Sequence, residues 1–81
     1  MTSTISTVQD RSPPYNDPAE PELGEIYLEF HAIGAAMKVS AIHAATGVEV
    51  SAIGPAHAAR ADLQRLAIGK LKQRLKRDGR L

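Results

Sequence analysis

Eighty-one residues with a formal net charge of +1 allow one small domain and little more. The absence of cysteine excludes disulfides and thiolate zinc sites, so a core this small must rely on packing or on a partner. Met1-Thr2-Ser3-Thr4-Ile5-Ser6 has neither the basic nor the apolar segment of a signal peptide, and no apolar run approaches membrane-spanning length. The expectation is a cytoplasmic protein with no membrane contact.

Residues 1–23 are rich in Ser, Thr, Pro, Asp and Glu, and Pro13, Pro14, Pro18 and Pro21 interrupt both helix and strand. That composition offers little to bury against the entropy of ordering. It predicts a flexible, disordered acidic arm with Tyr15 as its one large side chain. The domain proper is expected over 24–79.

From Glu25 the pattern turns to period two. Ile26, Leu28, Phe30 and Ala32 alternate with Tyr27, Glu29 and His31, predicting a strand. Gly34-Ala35-Ala36 reads as a turn, and Met37, Val39 and Ala41 then alternate with Lys38, Ser40 and Ile42 in a second strand. Thr46-Gly47 reads as another turn before a third strand, in which Val48, Val50 and Ala52 alternate with Glu49, Ser51 and Ile53. Val-Ser-Ala-Ile occurs twice, at 39–42 and 50–53, as two strands of one hairpin meeting the same needs.

Gly54-Pro55 is expected to end the third strand and open a helix, with Pro55 in its first turn and His57 close behind. Ala59, Leu63, Leu66, Ala67, Leu71 and Leu75 recur at three- and four-residue steps and predict an amphipathic helix. Gly69 within it suggests close approach to the sheet. Asp78-Gly79 marks the helix end. The predicted fold is α+β: a three-stranded antiparallel meander packed on one C-terminal α-helix, in βββα order behind the arm. Ile26, Leu28, Phe30, Val39, Val50, Leu63 and Leu71 form its candidate core.

Charge is split along the chain. Through Phe30 there are six acids against one base, and from Arg60 onward eight bases against two acids. Lys70, Lys72, Arg74, Lys76 and Arg77 crowd the last helical turns and are candidate polyanion contacts. Cations there also complement the helix dipole, and the acidic arm could fold back onto them. No aromatic residue interleaves with these bases, so base stacking finds no support.

Catalytic signatures are missing. There is no GxSxG, no HxH or HxxxH, no GxGxxG and no Walker loop. His31, His43 and His57 fall on three separate predicted elements. The expectation is a non-enzymatic protein with no metal and no cofactor. The sheet face away from the helix is half apolar, and Tyr27, Glu29, His31, Ile42 and Ile53 are its candidate partner surface. The leading function is a self-associating module, a homodimer that binds a protein partner. The alternative is nucleic-acid binding through the basic helix.

Glu29-Phe30, Ile33-Gly34, Lys38-Val39, Ala41-Ile42, Thr46-Gly47, Glu49-Val50-Ser51 and Gly54-Pro55, followed by an alanine- and leucine-rich basic helix, resemble a family of small uncharacterised alphaproteobacterial proteins. The resemblance spans Glu25 to Leu75, omits the arm, and implies no assigned activity.

Overall fold

The computed structural model describes residues 14–80, together with the backbone of Gln9–Arg11. The part of the arm at residues 1–8 and 12–13 lies outside the described residues. Among the described residues, strands β1 (Gln9–Arg11), β2 (Tyr15–Asn16), β3 (Glu25–Ile33), β4 (Ala36–His43) and β5 (Glu49–Pro55) precede one α-helix, α1 (Arg60–Arg77). A short 3-10 turn, Pro21–Leu23, leads into β3.

All pairings are antiparallel, in the order β1-β3-β4-β5, with β2 beside β1's position along the same edge of β3. The sheet is therefore four strands wide, not three. The added strands come from the arm. Segments of three and two residues at an edge escape the constraint that proline places on a longer strand. Tyr15 opposite Ile26, Asn16 opposite Glu25 and Asp10 opposite Phe30 set their register.

The three central strands follow the alternation of the sequence. Ile26, Leu28 and Phe30 of β3, Val39 and Ala41 of β4, and Ala52 of β5 are buried on one face. Register sets Leu28, Ala41 and Val50 in one row across the three strands, and Phe30, Val39 and Ala52 in the next. Onto these rows α1 lowers Leu63, Ala67, Ile68, Leu71 and Leu75. Val50 is only partly buried at the margin. Leu66, expected in the helix stripe, is 52% exposed, and Ile68 is buried instead.

Proline 55 does not open the helix. It ends β5, opposite Ala36, and the pairing runs on through Ala56 N–H to Ala35 O at 2.8 Å. The helix begins at Arg60, after an extended Ala59 whose side chain supplies no cap. Its other end closes as expected. Gly79 has φ 75°, its N–H reaches Lys76 O, and Arg80 N–H reaches Leu75 O at 2.8 Å. This is the double closure that a left-handed glycine permits.

The close approach of helix and sheet lies at Gly54 rather than Gly69. A Cβ on Gly54 would sit 2.5 Å from the Leu63 Cδ2 methyl, whereas one on Gly69 would meet nothing within 4 Å. Leu63 is buried and its freedom to move aside is small.

The two glycines therefore make opposite predictions. Gly54→Ala should lower stability by about 1–3 kcal/mol through overpacking. Gly69→Ala should raise it by ~1 kcal/mol through helix propensity. Urea midpoints of the two variants check both signs; equal shifts in one direction would contradict the packing described.

Candidate functional site

Period-two alternation carries the outer-face side chains away from the helix, and pairing stacks them in rows. Tyr27 lies opposite Ile42, and Ile42 opposite Glu49. Glu29 lies opposite Ser40, and Ser40 opposite Ser51. His31, Lys38 and Ile53 form the next row, and Ile33, Ala36 and Pro55 the last. Thus Tyr27, Glu29, His31, Ile42 and Ile53 share one face, in two apolar zones separated by a polar row. The serine hydroxyls of that row meet at 3.3 Å. Ile33, 56% exposed, was absent from the sequence-derived surface although its alternation with Tyr27, Glu29 and His31 places it there.

Charges of both signs are spread over this face. His31 Nε2 stands 3.7 Å from Glu29 Oε1. Tyr27 donates its hydroxyl to Glu25 Oε1 at 3.1 Å, and that carboxylate holds the phenol pKa above its ordinary value.

The basic residues of the helix are not one patch. Lys72 points to the arm side, where its ammonium pairs with Asp17 Oδ2 and, at 3.0 Å, with Glu20 Oε1. Asp17 is buried, and its other carboxylate oxygen accepts the Ala19 N–H at 2.9 Å. The Lys72 ammonium and that backbone donor hold the Asp17 carboxyl below its ordinary pKa, while the two carboxylates hold Lys72 above its own. Lys70, Arg74 and Arg77 point to the opposite side. With Val50 and Gln73 they line an open groove beside β5. Lys70 donates to Ser51 O, and Arg74 pairs with Asp78 at 3.2 Å. Lys76 is exposed.

The histidines are likewise apart. His57 is exposed in the connection before α1, and His31 is on the outer face. His43 is buried at the end of β4. Its Nε2 lies 2.8 Å from Leu23 O, an acceptor only, so Nε2 carries the proton and donates. Nδ1 lies 2.8 Å from Thr46 Oγ1, which also accepts the Val48 N–H. His43 thus fastens the end of the arm to the β4–β5 turn. Among the described residues, no three His, Asp or Glu side chains converge as a metal site. Among the same residues, no helix is long and apolar enough to cross a membrane.

The described residues define a small α+β domain with one sheet face covered by the helix and the other without a covering element. A family model described as a domain of unknown function, DUF6898, matches residues 23–78, and the chain belongs to that family. No curated protein and no solved structure matches it.

The arm clamp has a testable pH signature. Because the folded-state pKa of Asp17 is depressed, its stabilising contribution is complete above the unfolded value of about 4 and is lost as pH falls through the lower folded value. Lys72, raised in the folded state, contributes fully below about pH 10 and loses its part as pH rises through the higher folded value. Asp17→Asn should lower the urea midpoint at pH 7 and flatten its decline between pH 5 and 2. An unchanged acid limb would show that the pair does not hold the arm.

Proposed function

We propose that this domain is a non-catalytic interaction module of the cytoplasm that self-associates through its outer sheet face. The observation that carries the reading is the exposure of Ile33 and Ile53, 56% and 65%, on a face that no described element covers. Tyr27, 38% exposed, and Ile42 add apolar area at the other end. A second copy suits this face because the charges on it are mixed. Glu29, Glu49 and Lys38 stand among the apolar residues, so a two-fold arrangement can set acids against a base without accumulating one sign. A single-sign surface would repel its own copy.

Nucleic-acid binding through the helix has less support. Of the five bases proposed for it, Lys72 is engaged by Asp17 and Glu20, Lys70 by a backbone carbonyl and Arg74 by Asp78. Arg77 lies with Lys70 and Arg74 beside β5, on the side away from Lys72, so the bases do not track one phosphate backbone.

Light scattering after size-exclusion chromatography should give twice the chain mass at micromolar concentration. Ile53→Lys should convert the dimer to monomer with a circular-dichroism melt close to that of the unaltered protein, since the exposed site contributes little to the fold. A monomer at high micromolar concentration, or a dimer indifferent to Ile53→Lys, would overturn the assignment.

A further inference from the structure

Among the described residues, β5 is the long strand with no neighbour on its outer side; the opposite margin of the sheet is made of the short β1 and β2. Hydrogen bonding determines what that edge presents. His43 N–H to Val48 O and Ala56 N–H to Ala35 O bracket the β4–β5 ladder. In the observed register, Val50, Ala52 and Gly54 then exchange bonds with Ala41, Val39 and Met37. Glu49, Ser51 and Ile53 direct their N–H and C=O groups outward. The engagement of Ser51 O by Lys70 agrees with this direction.

The edge is also roofed on one side. Lys70, Gln73, Arg74 and Arg77 overhang it, with Val50 as the apolar floor. Three of these four residues are cationic. Asp78 offsets Arg74, and Glu49 lies on the opposite, outer side of the strand. A second copy of β5 is a poor occupant here. Antiparallel pairing of two such edges would bring both basic rows together on the same sheet face, and like charges would oppose it.

We infer that the β5 edge is a docking site for an extended acidic peptide segment of a partner protein, added as a further strand. Backbone bonds to Glu49, Ser51 and Ile53 supply the pairing, and carboxylates at alternate positions meet the basic row. The spacings are compatible. Lys70 to Arg77 covers about 10.5 Å of helix, and alternate strand residues lie ~6.8 Å apart. Two carboxylates therefore fit beneath the row. Lys70 acts as a removable guard. In the free protein it occupies the Ser51 carbonyl, which discourages unspecific strand addition. A docking strand supplies an N–H to that carbonyl and releases the ammonium to a carboxylate.

The inference shares the interaction-module reading but uses another surface, so a protein that stays monomeric leaves it standing. A fluorescein-labelled peptide Thr-Glu-Val-Glu-Val-Glu-Thr serves as probe, read by polarisation and by amide spectra of ¹⁵N-labelled protein. Saturable binding is expected, at least tenfold weaker in 0.5 M salt, and at least tenfold weaker to Arg74→Glu/Arg77→Glu with its fold confirmed by circular dichroism. Amide shifts and slowed hydrogen exchange should centre on Glu49, Ser51 and Ile53. The same peptide with alternate backbone amides N-methylated should bind at least tenfold more weakly. Equal binding of the methylated peptide, equal binding of its Lys-for-Glu counterpart, shifts confined to the outer face, or no binding would overturn the inference. Preference for a single-stranded oligonucleotide over the peptide would do the same and would restore the nucleic-acid reading.

Discussion

An α-helix with its side chains is about 10 Å wide. Strands lie about 4.8 Å apart, so a sheet four strands across offers its covering layer more width than one helix fills. α1 sits over β4 and β5, and the inner side of β3 would be left wet. The arm supplies what is missing. Tyr15 packs on the core, Leu23 is buried within it, and Tyr15 and Ile68 line the same arm–helix groove. The acidic character of this segment, which suggested a solvated tail, is used at Asp17 and Glu20 to hold it against Lys72. The charge split along the sequence is thus partly an intramolecular contact.

The same limit on width explains the two free surfaces. With α1 committed to one face, no other described element lies over the opposite one, and Ile33 and Ile53 are exposed there. The arm can cover one edge of the sheet and covers that of β3. The edge of β5 keeps its outward backbone groups and a single lysine guard.

Much of this was legible along the chain. Period-two alternation identified the three long strands and sorted their faces, because each strand is buried on one side only. The glycine closing the helix was equally plain. The two arm strands carried no periodic signal, since segments of two and three residues are stabilised by the partner strand rather than by their own pattern. The helix start was misplaced because proline ends strands as readily as it begins helices, and Ala59 offers no polar cap to mark the true beginning. Leu66 and Ile68 flank the Leu63–Ala67–Leu71 line on opposite sides. Which one is buried depends on where the arm lies, and spacing within the helix cannot reveal that. The five bases likewise formed a cluster in sequence, but helical geometry divides them between arm and open edge.

The Asp17–Lys72 contact joins the segment before β3 to the C-terminal half of α1. During synthesis the arm emerges before α1, so Asp17 and Glu20 have no Lys72 to pair with until the helix has followed. The meander of β3, β4 and β5 closes through short turns and can assemble from neighbours alone. The long loop to Lys72 closes afterwards. Until then β1 and β2 hold the margin of β3 by backbone pairing alone, without the clamp that fastens the arm in the finished fold.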